Sequence, residues 1–465
     1  MKSKSVQQND DGTLRALSNR HVQMIAIGGT IGTGLFLGSG STISKTGPSV
    51  ILVYLVLGGV FYLMMRAMGE MFYADPSQHT FVSFISKYLG HTVGHFTGWT
   101  YWIGLVFVCM AELTAIAGYV QYWFPKLPAW IIELGFLAIL MGVNLIAARL
   151  FGETEFWFAM IKIFAILAMI ATGIFMVLVD FKTPLGHASF NNIFHNFSLA
   201  PKGGYNFISA FPMDFFAFLG IEFISITVGE AKNPRTIIKK AVNETIMRIL
   251  LFYICSLGII MCIIPWTSLS ASSSPFVQVF DLAGFPAAAS VINFVVLTSA
   301  ASSINSGIFS AGRHFYQIAT EVDPDSLMGR TFGKISSNGV PAAAILLSAG
   351  CMLITPLLSL TATLASAFSF IVSVCCDMYL IVYSLAMVAH RRYRVSDDFL
   401  PDGFKMPFYK VTNTATIAFF VVIFISLFFI PQDAIAATGA ICWTLLFGVV
   451  NWWHGRKTSR ARSVE

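Results

Sequence analysis

Thirteen residues carry the densest chemical signal in the chain: Gly28-Gly29-Thr30-Ile31-Gly32-Thr33-Gly34-Leu35-Phe36-Leu37-Gly38-Ser39-Gly40. Six of them are glycine, and all lie inside an apolar run from His21 to Thr46. Glycine costs about 1 kcal/mol relative to alanine within a helix, yet a helix in lipid has to satisfy every backbone group internally. The two demands are reconciled if the helix is interrupted and its irregular turn lines a cavity. An interruption at Gly32-Thr33-Gly34 frees N–H groups on the outer half-helix, which attract a carboxylate. It also frees carbonyls on the inner half, such as that of Thr30, which attract an ammonium. An α-amino acid carries both charges on adjacent atoms. Two other readings use the same residues. The GxxxG spacing of Gly28 and Gly32 serves close helix packing; a nucleotide-binding glycine loop is excluded, because no strand precedes it.

Single ionisable residues inside apolar runs are the second signal, since a charge at membrane depth usually faces a cavity or a partner. Glu112 lies in the middle of the third run. Lys162 lies about two turns into the fifth, after Gly152-Glu153-Thr154-Glu155-Phe156-Trp157-Phe158. Either Lys162 snorkels to the basic surface, or it stays buried among aromatic residues as a titratable ammonium; burial is the expectation. The sixth run, Phe215-Phe216-Ala217-Phe218-Leu219-Gly220-Ile221-Glu222, again sets a glycine and an acid in mid-span. It closes with Gly229-Glu230-Ala231-Lys232-Asn233-Pro234-Arg235. The eighth carries Thr298-Ser299-Ala300-Ala301-Ser302-Ser303-Ile304-Asn305-Ser306, either helix–helix glue or the lining of a water-accessible path. Asp377, in the tenth, is expected to make a structural hydrogen bond, with a cationic substrate side chain as the alternative partner.

These groups have to be positioned by membrane helices. Of 465 residues, 56% are hydrophobic and 11% charged, against about 25% charged in soluble domains. At about 20 residues per crossing, the apolar runs predict an all-α polytopic membrane protein of twelve transmembrane helices. They fall near 22–45, 49–72, 94–122, 128–147, 155–180, 207–229, 245–267, 285–318, 340–358, 361–389, 413–431 and 435–453. With both termini cytoplasmic, only Lys45, Lys126, Lys182 and Lys202 of the 29 Lys and Arg fall outside, and Lys162 falls within a helix. The other 24 are cytoplasmic, as the positive-inside rule requires. Basic charge spread over loops in this way does not read as a nucleic-acid surface. Residues 1–20 and 454–465 are polar tails expected to be disordered, and 21–453 form the transporter domain. The positions of the interrupted helices, one and six, divide that domain into inverted repeats of about 21–180 and 207–389, with two peripheral helices at about 413–453. The loop from Phe181 to Tyr205 reads as a mobile cover. The seven cysteines sit in apolar segments without ligand spacing. Lacking a triad, a metal cluster or a phosphate loop, the sequence predicts neither an enzyme nor a cofactor; His79, His91 and His95 fall at helix ends.

The run Ile27 to Phe36, the segment Phe151-Gly152-Glu153 to Lys162, and Phe218 to Glu222 through Glu230-Ala231-Lys232-Asn233-Pro234 resemble the amino acid permeases of the amino acid–polyamine–organocation superfamily. The resemblance spans roughly residues 15 to 455. Within it, Ser274-Pro275-Phe276-Val277 and the run Gly284 to Arg313 are most similar to the bacterial D-serine/D-alanine/glycine transporter branch. The resemblance implies a LeuT-type five-plus-five inverted repeat with helices 1 and 6 broken. It assigns the amides of Thr33 and Gly34, beside Gly32, to the substrate carboxylate, and the carbonyls of Thr30, Phe216 and Leu219, beside Gly220, to the α-ammonium. Phe216 would be an aromatic gate. Glu112, Ser302 and Ser303 would complete the site. Lys162 would stand in for sodium, while Glu222 and Glu230 would serve coupling or gating. Asp377 departs from the pattern, since relatives mostly carry an apolar residue there. The implied function is secondary import of small neutral amino acids, namely alanine, serine, glycine and their D-forms where they exist. The expected route is alternating access with proton symport at the cell membrane, driven by the proton gradient alone. The alternatives are an exchanger, or a permease for aromatic, branched or basic amino acids. The expected partners are the amino acid, membrane lipid and, through the last two helices, a second copy in a homo-oligomer; no nucleic acid is expected.

Overall fold

Apolar sequence in lipid is driven into helices because each one satisfies its own backbone. The computed structural model, which describes residues 19–78, 80–146, 151–194, 197–224, 233–271 and 273–462, is helical through most of that length. In chain order the principal helices are α1 (Asn19–Thr30), α2 (Ser39–Thr46), α3 (Val50–Ala74), α4 (Phe81–Leu89), α5 (His91–Gln121), α6 (Ala129–Ile146) and α7 (Phe151–Leu178). They continue as α8 (Phe211–Phe216), α9 (Pro234–Ile263), α10 (Pro275–Leu282), α11 (Pro286–Thr320) and α12 (Ala342–Met352). The last three are α13 (Leu364–Tyr393), α14 (Tyr409–Leu427) and α15 (Pro431–Arg462). Among the described residues nine helical stretches are long and apolar enough to cross a membrane, and the chain is a multi-pass membrane protein. The most apolar windows of α5 and α13 are 72% buried, and those of α6 and α15 only 22%. The first pair therefore forms the interior, and the second turns its apolar faces outward to lipid. α5 is the central post, packing along α4, α11 and α13.

Three expectations drawn from hydropathy need correction. The seventh helix starts at Pro234 rather than near 245. Its first turns carry Arg235, Lys239 and Lys240, so an apolar window misses them, although Pro at the helix start marks the boundary. The segment after 453 continues helical to Arg462, because Lys and Arg are good helix formers. The loop from Phe181 to Tyr205 is also tied down at its start. Thr183 pairs with Gly186 in a small antiparallel ladder, and the Ser189 amide and Asn192 Nδ2 both donate to the carbonyl of Cys262.

Two interruptions face each other in the middle of the molecule. α1 ends as the Ile31 amide donates to Ile27 O, and the next such bond is from the Phe36 amide to Gly32 O. The chain then passes through a π-helical turn, Gly34–Gly38, into α2. The second interruption follows α8, where Phe218 and Leu219 close tight turns and Gly220 adopts φ 95°. A Cβ on Gly220 would lie 2.6 Å from Gly29 O and 3.2 Å from the Thr30 nitrogen. Only glycine allows both that dihedral and that approach.

The basic end, which carries Arg66, Arg235, Lys239 and Arg394, is locked by one buried acid. Glu70 of α3 forms an ion pair with Arg394, whose Nη2 donates to Oε2 at 2.8 Å while Nε lies 2.6 Å from Oε1. It also accepts from His390 Nε2 at 3.0 Å and from the Met406 amide at 2.7 Å. This cluster joins α3, α13 and the segment leading into α14. Arg394 is only 7% exposed, so removing its partner strands a buried charge. Glu70→Ala is expected to lower stability by about 3–5 kcal/mol, read as a fall in melting temperature in detergent. An unchanged melting curve would show that the lock contributes nothing.

Candidate substrate and coupling site

The interruptions leave backbone groups in an apolar interior, and side chains from the surrounding helices bind them. At the start of the second half of the first broken helix, the Thr33 amide donates to Glu112 Oε1 at 3.1 Å and Oε2 at 3.3 Å. A Cβ on Gly32 would collide with that same Oε1 and lie 3.1 Å from Ser303 Oγ. On the first half, Gly28 O accepts from Lys162 Nζ at 2.5 Å, Thr30 O from Tyr253 Oη at 3.3 Å and Ile31 O from Ser299 Oγ at 3.1 Å. Tyr253 Oη also lies 2.7 Å from Ala217 O, so one hydroxyl of α9 spans both interruptions. At the second break Glu222 accepts from the Gly220 amide at 2.9 Å, from Tyr383 Oη at 2.8 Å and from Tyr101 Oη at 3.4 Å.

This geometry changes the detail of several expectations. The helix end at Thr33 does bind a carboxylate, but in this structure the carboxylate is that of Glu112. A substrate acid would have to share or displace it. Gly34 does not face open space: a Cβ there would be 2.5 Å from Ala217 Cα, so the residue sets the approach of the two broken helices. Phe216 O accepts within its own turn from the Leu219 amide. Ser302 turns away from the break and donates to Glu155 Oε2 at 2.8 Å. Ser303 Oγ is buried beside Gly32 and Glu112, with no hydrogen-bond partner among the described residues, and so remains available to a ligand. Lys162 is 1% exposed, which excludes the snorkelling alternative. Glu222 is equally buried and holds the second break in shape. Glu230 lies outside the described residues. Asp377, expected to make a structural hydrogen bond, is buried in α13 without a hydrogen-bond partner among them.

A cavity of about 440 Å³ opens on the far side of the breaks from the basic end. It reaches Leu37 and Gly38, one turn beyond Gly34, and Met213, three residues before Phe216. Tyr119, Asn293 and Phe368 supply other parts of its wall. Phe216 and Phe368 meet edge-to-face with ring centroids 6.2 Å apart, so an aromatic pair stands beside the vestibule. The sequence missed Tyr253, which has no local signature, and Glu155. The i, i+7 spacing of Glu155 to Lys162 puts the two on one helix face and was the available clue.

Gly34→Ala is expected to push the broken helices apart, costing about 1–3 kcal/mol as overpacking does, with uptake falling in step with the melting temperature. Loss of uptake at unchanged stability would return Gly34 to a purely substrate-facing role. Gly220→Ala, which adds a strained dihedral to a backbone clash, is expected to yield no monodisperse protein in size-exclusion chromatography.

Residues 21–462 match the amino acid permease family. The chain is 47% identical over 452 residues to a serine permease, SerP1, of Lactococcus lactis subsp. cremoris (strain MG1363), covering 96% of this chain and 98% of that protein. It is 44% identical to the DL-alanine permease SerP2 of the same strain, over 97% and 99% of the two chains. It is 40% identical to the D-serine/D-alanine/glycine transporter of Escherichia coli (strain K12), over 95% and 94%. The family and these relatives are transporters, not enzymes. By family match and by nearly full-length identity, the chain belongs to the amino acid permeases.

Proposed function

We propose that this permease imports small neutral amino acids, alanine, serine and glycine with the D-forms of the first two, by proton symport. The observation that carries the coupling half is the Lys162 ammonium, buried and bound to Gly28 O of the broken helix. A cation at that position ties α7 to α1 while it keeps its proton and releases the carbonyl when it loses it. Proton binding and helix position are thereby linked. The substrate half is supported by the three relatives, whose names cover serine, alanine and glycine. A break that presents an amide end to a carboxylate, and carbonyls to an ammonium, suits the part common to these substrates.

The wider architecture belongs to the same proposal. Twelve crossings, with α1–α2 as the first and α8 opening the sixth, give a LeuT-type five-plus-five inverted repeat followed by two outer helices. The basic end is cytoplasmic, both termini lie there, and the vestibule opens to the outside of the cell membrane. Alternating access then consists of rocking the broken helices against α5, α7 and α11.

Two measurements test this. Labelled alanine uptake should be inhibited by excess glycine, L- and D-alanine and L- and D-serine, but not by lysine or tryptophan; strong inhibition by lysine would point instead to Glu112 and Asp377 as a cation site. In proteoliposomes, alanine should drive proton entry. Lys162→Ala should lower gradient-driven accumulation far more than alanine exchange, and flatten its pH dependence. Proton flux at the unmodified level in that variant would reject Lys162 as the coupling group, and no flux in the unmodified protein would leave exchange as the function.

A further inference from the structure

Glu155 is a buried acid that the site described so far does not use. It lies one turn into α7 and is 0% exposed. Its two carboxylate oxygens are held separately: Oε2 accepts from Ser302 Oγ at 2.8 Å and Oε1 from Asn305 Nδ2 at 3.1 Å. Asn305 Oδ1 in turn accepts from Asn144 Nδ2 of α6 at 2.9 Å. Three helices thus orient one carboxylate.

Its position relative to Lys162 is specific. The two residues are seven apart on one face of α7, roughly 10 Å along the helix axis. The lysine side chain reaches back over this interval to Gly28 O. Gly28 itself sits against the intervening turn: a Cβ there would lie 3.1 Å from Ala159 Cβ and 3.9 Å from Glu155 O. Lys162 and Glu155 therefore flank the same contact between α1 and α7, with Glu155 nearer the basic end. Lys162 is the one basic residue in α7. The groups bound to Glu155 from α11, Ser302 and Asn305, do not titrate, and neither does Asn144 of α6 behind Asn305. Glu112 of α5 acts on Lys162 and binds the Thr33 amide on the other side of the break.

We infer that Glu155 is the acceptor through which the coupling proton leaves Lys162 toward the basic end. In this step an N–H bond of the ammonium breaks and an O–H bond forms on the Glu155 carboxylate. A neutral amine and a neutral acid replace an ammonium and a carboxylate, and the acid then returns its proton to water at the basic end. Neutralising both groups weakens the hold of Lys162 on Gly28 O and of Glu155 on the donors of α11. The same transfer therefore loosens α7 from α1 and from α11 together. Glu155 does not touch substrate. It is a positioning and proton-accepting residue, and its assignment rests on the symport reading above.

The test uses full-length protein in liposomes with trapped pyranine and L-alanine as the probe. Glu155→Gln keeps the hydrogen-bonding shape but cannot take up the proton as a carboxylate does. Alanine-driven acidification should fall roughly a hundredfold, the low end of what losing a positioned acid–base group costs, while exchange falls by a much smaller factor. Glu155→Asp should recover part of the flux, and the pH profile of uptake should flatten only in the Gln variant. Acidification by Glu155→Gln equal to that of the unmodified protein would overturn the assignment. So would a parallel loss of exchange and acidification in Glu155→Gln without recovery in Glu155→Asp, since that is the behaviour of a structural strut. Absence of acidification in the unmodified protein would instead overturn the symport reading, and this assignment with it.

Discussion

The constraint on which this structure depends is the cost of leaving backbone unbonded away from water. Each unsatisfied N–H or C=O in hydrocarbon costs several kcal/mol, and two broken helices expose a set of them at the centre of the molecule. The surrounding side chains read as answers to that cost. Lys162, Tyr253 and Ser299 donate to Gly28, Thr30 and Ile31 carbonyls; Glu112 and Glu222 accept from the Thr33 and Gly220 amides. They come from α7, α9, α11, α5 and the second broken segment itself. The charged residues that looked anomalous in the sequence are thus, in large part, the partners of open backbone.

A scaffold of this kind is suited to moving. Helical bonds are made within one segment and hold whatever its neighbours do, whereas side-chain bonds to open backbone can be exchanged for bonds to a ligand. Glu112 illustrates the point, since it already occupies an amide end that would suit a substrate carboxylate. Tyr253 illustrates the complementary role: its hydroxyl lies within reach of both Thr30 O and Ala217 O, so the two breaks are tied to one another and are expected to shift together.

The glycines set how close this can be. Gly28 packs on Ala159, Gly34 on the backbone of Ala217, and Gly220 on Gly29 O. At these three contacts the first broken helix meets α7 and the second broken helix with almost no side chain between. Backbones that approach this closely allow a lysine amine or a tyrosine hydroxyl to bridge them. At the basic end the opposite device operates, a buried Glu70–Arg394 pair that fixes α3 to α13. The molecule therefore combines a lock held by charge with a centre held by exchangeable hydrogen bonds.

The sequence by itself determined what depends on local composition and spacing. Apolar runs of the right length gave most of the helices, because hydropathy and helix length are properties of a short window. The clustered glycines gave the first interruption, since no continuous membrane helix tolerates them without reason. Isolated charges marked Glu112, Lys162 and Glu222. What only the tertiary structure decided was which group each of these meets. That Glu112 caps Thr33, that Ser302 serves Glu155, and that Ala217 lies behind Gly34 all depend on neighbours from other helices. Helix 234–263 began earlier than hydropathy allowed because its first turns are basic and lie outside the apolar window. Tyr253 looked like any buried aromatic residue until folding set its hydroxyl between two broken helices. A partner contributed by a distant helix leaves no periodic trace along the chain, and for that reason the site's members were legible while their pairings were not.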